Sequence, residues 1–360
     1  GILTRERALE LIEALWLKLS EWVWAISSNT AQFFAGYNSF QNLTIGGRKR
    51  DGSDATNEVS YLCLEATEKV KTHQPGLSVR IHPNCPPEFM MAVCKLISCG
   101  TGFPAVHNDR AGYEMLLAAG LEPEDARDWS NCGCVVPHFR KIGEWTSAAN
   151  INLAAAMEFT MGNGIHRLSG EKLGLDSDLA EAASYEDFKK LFLKQVSHLI
   201  RVAVTGSLVC QRVHAEIVPR PYLSMLVDGC MEKGKDLSKG GAKYCLAPVL
   251  TGIGLADAAN ALAAIKKLVF EENQYTLSDF VAAMDADWVG YEKMRKDVLA
   301  CPKYGNDDDY VDSITSDLSD FYHHEIHQYT DLFGAPFNSA FMGISNYIPA
   351  GSVVGATPEG

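Results

Sequence analysis

No uninterrupted apolar run in this 360-residue chain approaches the ~20 residues that a membrane-spanning helix requires. Arg5 and Arg7 are not followed by the apolar core of a secretion signal. The chain is therefore read as soluble, with no membrane partner. Basic stripes are also missing, and a formal charge of −13 argues against nucleic acid or an anionic lipid surface as a partner. There is no pair of C-x-x-C motifs, and Cys85, Cys94 and Cys99 show no zinc spacing, so no metal site is expected. Neither a Walker motif nor a G-x-S-x-G elbow occurs. Gly252-Ile253-Gly254 lacks the third glycine of a dinucleotide fingerprint and reads as a turn. No repeat or low-complexity linker divides the chain.

What is present is a chain with 47% hydrophobic residues, enough for a large core. Its ten cysteines are scattered among helical patterns, with Cys63, Cys94, Cys210 and Cys230 beside apolar neighbours. That usage fits a reducing cytoplasm. Thr4 caps a helix expected to continue through Trp22 and Trp24, and Asp54 is expected to cap a second one ending near Val70. The alternating Leu77–Ile81 run reads as a strand, followed by a helix opened by Pro86 or Pro87. A second strand from Phe103 leads to His107, and a helix runs from Arg110 to Ala119. Strands alternating with helices predict an α/β fold with a parallel sheet or barrel, in which ligands meet the carboxyl ends of strands. His82 and His107 lie at such ends; each can serve catalysis or simply bind backbone.

Helical periodicity dominates the second half, over 184–204, 208–218, 256–270, 278–299 and 311–333. Asp307-Asp308-Asp309 reads as a solvated cap for the last of these rather than a cation site.

The stretch from Ser130 to Arg140 holds Cys132 and Cys134 around a glycine, ahead of Pro137. If Cys134-Val135-Val136 is extended, residues two apart point the same way and both thiols face one side. The competing reading is two cysteines packed as small hydrophobes. Just beyond, Thr146 or Ser147 is expected to cap a helix through Met161 whose start faces back toward Cys134. Such a start, with Thr146 and Ser147 hydroxyls and open N–H groups, suits a carboxylate.

The run Asp125-Ala126-Arg127-Asp128-Trp129 with Gly133-Cys134-Val135 resembles the cysteine loop of glycyl radical enzymes, the pyruvate formate-lyase superfamily. Further matching motifs follow in family order: Gln41–Gly47, Arg80–Asn84, Gly102–Ala105, Tyr304–Tyr310 and Val354–Pro358. The resemblance implies part of a ten-stranded α/β barrel with a helix-rich periphery, residues 1–360 being the central part of one such domain. It also implies that Cys134 is the catalytic thiol. A glycyl radical, on a glycine absent from this chain, passes to it, and the thiyl takes hydrogen from a small organic-acid substrate. An S-adenosylmethionine/iron–sulfur activating enzyme installs the radical, so anaerobic metabolism and a homo-oligomer are further expectations. No Arg-Val-x-Gly-Tyr/Phe run occurs, and the chain by itself is not expected to turn over.

Two departures narrow the reaction. Dehydratases of the family follow the cysteine with Val-Glu-Pro, the glutamate acting as base, whereas Val136 stands here. They carry Trp-His-Asp where this chain has Trp145-Thr146-Ser147. Without those carboxylates, elimination loses its base. Decarboxylation or other C–C lysis of an aryl- or alkyl-acetate becomes the leading expectation, with Thr146, Ser147, Arg140, His82, His107 and His166 as candidate substrate-binding residues. His166 is the nearest match to a substrate-contacting histidine of arylacetate decarboxylases, or else offsets a helix dipole. Addition of a hydrocarbon to fumarate is the second reading. A non-enzymatic thiol or metal-binding protein is the third.

Overall fold

A computed structural model describes residues 2–22, 25, 27–28, 41–133, 135–143, 147–343 and 347–360. Within it the chain forms two compact units, residues 1–142 and 143–360.

The first unit begins with α1 (Arg5–Ser20), whose cap Thr4 accepts the Arg7 N–H. The helix is shorter than the sequence suggests. Ser20 Oγ folds back onto the carbonyls of Trp16 and Gln74, and Trp22 is 63% exposed, outside the buried Leu9–Trp16 stripe; Trp24 lies outside the described residues. Strands β1 (Asn42–Gly46), β2 (Gly76–Ile81) and β3 (Ala105–Asn108) then pair in parallel in that order. Parallel strands need crossovers. Here α2 (Glu58–Val70) lies between β1 and β2, and α3 (Pro87–Ser98) between β2 and β3. Asn57, not Asp54, caps α2, because its side chain reaches the N–H groups of Val59 and Ser60 while Ser60 returns the bond.

Side-chain alternation divides this sheet. Leu77 and Val79 are fully buried in a core with Leu62, Leu64, Phe89, Val93 and Leu96, against which Leu43 and Ile45 pack. Asn42, Thr44, Ser78 and Arg80 occupy the alternate positions, brought level by the pairing of Thr44 with Ser78. Beyond β3 come α4 (Asp109–Ala118) and α5 (Pro123–Arg127), then an antiparallel hairpin of β4 (Ser130–Cys132) and β5 (Val136–His138).

In the second unit β6 (Ser147–Asn152), β7 (Val249–Ile253) and β8 (Asn338–Phe341) form another parallel sheet in that order. The helix expected to start at Thr146 or Ser147 does not. Ser147 opens β6, and α6 (Leu153–Met161) is capped by Asn152, which accepts the N–H groups of Ala154 and Ala155. Two consecutive elements share what reads as one apolar run. Gly252 and Ile253, expected in a turn, instead lie in β7, paired with Ile151 and Asn152 of β6; glycine is needed at 252 because a side chain there would sit 2.4 Å from the Phe341 ring. Around this sheet pack α7 (Tyr185–Ile217), α8 (Leu255–Ile265) and, later in the chain, α11 (Asp309–His327).

Helix α7 buries Phe188, Phe192, Val196, Ile200 and Val204 at four-residue spacing, one continuous stripe. Helix α8 passes into a π-helical turn over Lys266–Glu271. The span expected as one helix over 278–299 is two, α9 (Leu277–Asp285) and α10 (Glu292–Leu299), broken where Asp287, Trp288 and Gly290 take positive φ. Asp308 caps α11 through the Tyr310 N–H.

Candidate active site

The hairpin that leads into position 134 is fastened to the polar row of the first sheet. The Asn131 N–H donates to Thr44 Oγ1 at 2.9 Å, and its amide nitrogen donates to Ser78 Oγ at 3.2 Å and to the Gly133 carbonyl at 3.1 Å. Asn42 Nδ2 donates to that same carbonyl. Thus the peptide just before Cys134 takes amide donors from β1 and from β4. Gly76 has to be small, since a Cβ there would stand 2.5 Å from Asn42 Oδ1.

Arg80 supports the hairpin from below. It pairs with Asp109, which is fully buried, through Nε at 2.8 Å and through Nη2. It also donates to the carbonyls of Arg127 at 2.6 Å and Trp129 at 2.5 Å, the residues that lead into β4. Arg48 Nε reaches the other Asp109 oxygen at 2.5 Å. The guanidinium of Arg80 lies 4.5 Å from the Trp129 ring centre, and Gly112 of α4 leaves the space that ring needs.

Cys134 itself, and Thr146, lie outside the described residues. Ser147 is the first residue of β6, and its side chain lies outside the description too. The extended run expected from Cys134 onward is not continuous with β4: that strand ends at Cys132, and Gly133 has φ +61. The strand alternation ends at Cys132, and the expectation that both thiols face one side falls on Cys134, outside the described residues. Pro137 sits within β5 opposite Asn131 rather than closing the segment. Cys132 is exposed.

His107 stands level with Arg80 and makes an edge contact with Trp129 at 6.3 Å. Burial pulls its pKa below the ordinary imidazole value, which favours the neutral ring. Its Nε2, Trp129 Nε1 and Asn131 Oδ1 are buried without hydrogen-bond partners among the described residues. His82 is turned elsewhere, with Nε2 at 3.1 Å from the Gly47 carbonyl and 3.0 Å from Asp54 Oδ1. Arg140 is exposed. In the second unit, His166 places Nδ1 2.8 Å from Ser169 Oγ and Nε2 2.7 Å from the Val353 carbonyl. That ring ties the loop after α6 to the segment around Val353. The loss of a helix start at Thr146 and Ser147 removes the physical basis for a carboxylate site there.

Asn42, Thr44, Ser78, Arg80, Asp109 and Asn131 were not among the site candidates of the sequence. For Asn42, Thr44, Ser78 and Arg80 the signal is the polar half of the alternation in β1 and β2, and Asn42, Thr44 and Arg80 also sit inside motifs that carry the resemblance.

A mixed α/β fold with two parallel sheets, and a cysteine hairpin fastened across one of them, defines the class. The pyruvate formate lyase-like family model matches residues 1–351, and the chain belongs to this family of glycyl radical enzymes. Trans-4-hydroxy-L-proline dehydratase of Clostridioides difficile is 33% identical over the whole chain, which covers 46% of that enzyme. Indoleacetate decarboxylase of Tractidigestivibacter scatoligenes is 30% identical, again over the whole chain and 44% of the relative. Among solved structures, the glycerol-bound B12-independent glycerol dehydratase of Clostridium butyricum superposes with a TM-score of 0.94 at 35% identity, over the whole chain and 46% of that structure. The chain thus spans about half the length of the relatives it matches. No helix among the described residues is long and apolar enough to cross a membrane.

Proposed function

We propose that the protein is a glycyl radical lyase in which Cys134 carries the thiyl radical and the substrate is a small aryl- or alkyl-acetate. The observation that carries this reading is Val136. It stands where the family's dehydratases resemble this chain but place a glutamate base, and it opens β5 opposite Cys132. A valine takes up no proton, so loss of water or another leaving group that depends on this base is disfavoured. Cleavage of a C–C bond next to a carboxylate needs no base there. In the net reaction the C–C bond to the carboxylate breaks, the carboxylate leaves as CO2, and a proton taken up from solvent restores the C–H bond in its place.

The buried His107 Nε2, Trp129 Nε1 and Asn131 Oδ1, which have no hydrogen-bond partner among the described residues, supply polar groups near the hairpin for such a substrate. The relation to indoleacetate decarboxylase supports the reaction class, while two of the three similar proteins above are dehydratases and set the competing outcome. Addition of a hydrocarbon to fumarate is the second reading, favoured by the same missing carboxylate. Under either reading the radical glycine lies outside these 360 residues, an activating enzyme is the partner, and the enzyme works in an anaerobic cytoplasm.

The test uses the parent enzyme that contains this chain, activated without oxygen. Aryl- and alkyl-acetates labelled at the carboxyl carbon should release labelled CO2, and 1,2-diols should remain unchanged. Dehydration of a diol, with no CO2 from any acetate, would overturn the proposal.

A further inference from the structure

Away from the hairpin, residues from two loops of the first unit converge. Asp54 precedes α2, and His82 and Cys85 belong to a turn after β2 closed by the Cys85 N–H on the His82 carbonyl at 3.0 Å. One donor atom each of Asp54, His82 and Cys85 lies within 4.8 Å of the other two. From this geometry we propose that Asp54, His82 and Cys85 form a binding site for a divalent transition metal of the zinc class, clipping the two loops together.

The spacing already suits a metal. Asp54 Oδ1 and His82 Nε2 are 3.0 Å apart, and two such ligands at the usual ~2.0–2.1 Å on a tetrahedral ion stand about 3.3 Å from one another. Carboxylate, imidazole and thiolate together are a donor set that zinc accepts, leaving one position for water. Each ligand is also held. Asp54 accepts the Thr56 N–H and hydroxyl, both at 3.1 Å, and Cys85 Sγ accepts the His82 N–H at 3.3 Å. The His82 side chain is 5% exposed, so its ring is confined. Asp54 brings one carboxylate to the thiol, a negative charge beside it that suits a cation.

On binding, the thiol proton leaves to solvent and the metal takes the place of the hydrogen between His82 Nε2 and Asp54. The imidazole then carries its proton on Nδ1, ending the 3.3 Å contact from the exposed Asn84 N–H and the 3.1 Å contact of Nε2 with the Gly47 carbonyl. His82 and Cys85 stand three positions apart, while Asp54 lies 28 and 31 positions before them, a separation that no short spacing rule covers.

Cobalt(II) titration of the purified chain under reducing, oxygen-free conditions tests this. One equivalent should give a thiolate-to-cobalt charge-transfer band, and zinc should displace it and raise the thermal midpoint. Cys85→Ala should lose the band and weaken binding by roughly tenfold or more, while Cys94→Ala, at an exposed cysteine outside the cluster, should keep both. Circular dichroism would show that both variants are folded. No band in the folded wild type, or an undiminished band in Cys85→Ala, would overturn the site.

Discussion

At the scale of the residue, Arg80 makes the largest claim. A guanidinium that is 5% exposed, bound to a fully buried carboxylate and to two carbonyls ahead of the hairpin, couples the sheet to the cysteine loop. Removing it leaves Asp109 with Arg48 as its remaining cation among the contacts described, and takes the donor from the Trp129 carbonyl. Breaking a buried pair from one side typically costs ~3–5 kcal/mol, far above the 0–1 kcal/mol of a surface bridge. Arg80→Ala should therefore lower the stability seen in urea unfolding by about that larger amount. A loss under ~1 kcal/mol would instead place the pair with surface bridges.

At the scale of the element, the start of α6 is the informative case. Asn152 closes β6, accepts two N–H groups of the helix, and donates Nδ2 to the Ala350 carbonyl at 2.9 Å. Loss of an N-cap costs ~0.5–2 kcal/mol, and an aspartate keeps the acceptor but not the donor. Asn152→Ala should be less stable than wild type by about that amount, and Asn152→Asp should recover most of it. Equal destabilisation by both, measured by thermal unfolding, would assign the role to the Ala350 contact instead.

At the scale of the whole molecule, each unit contains a histidine whose folded pKa is depressed: His107 in the first, by burial, and in the second the more exposed His323, by partial desolvation and by repulsion from His327 and His324. The unfolded chain takes up these protons near pH ~6.5, and the folded chain resists until a lower pH. Stability from both groups is thus present above pH ~6.5 and is lost as pH falls from there toward the folded values. The paired variant His107→Gln/His323→Gln should show a smaller drop in unfolding free energy between pH 7 and 5 than wild type. Parallel pH profiles would show that the two rings titrate alike in both states.

The sequence by itself determined the alternation of strands and helices in the first unit, the apolar stripe of α7, the caps at Thr4 and Asp308, and the family. These depend on neighbours in the chain: periodicity of two or four, a hydroxyl or carboxylate one turn from an N–H, and motifs in fixed order. Tertiary structure decided what local pattern leaves open. Strand β6 and helix α6 follow one another without a break, and it is pairing with β7 that makes the first of them a strand. Gly252 looks like a turn residue until Phe341, far along the chain, needs the space above it. Asp54 is a plausible cap by spacing, but His82 provides a partner for its carboxylate and Asn57 takes the helix. The contacts behind the cysteine hairpin, Asn42, Thr44, Ser78 and Arg80, join segments some 50 to 90 residues apart. Sequence order does not encode such distances, because it is the parallel register of β1 and β2 that brings their polar side chains level beneath one loop.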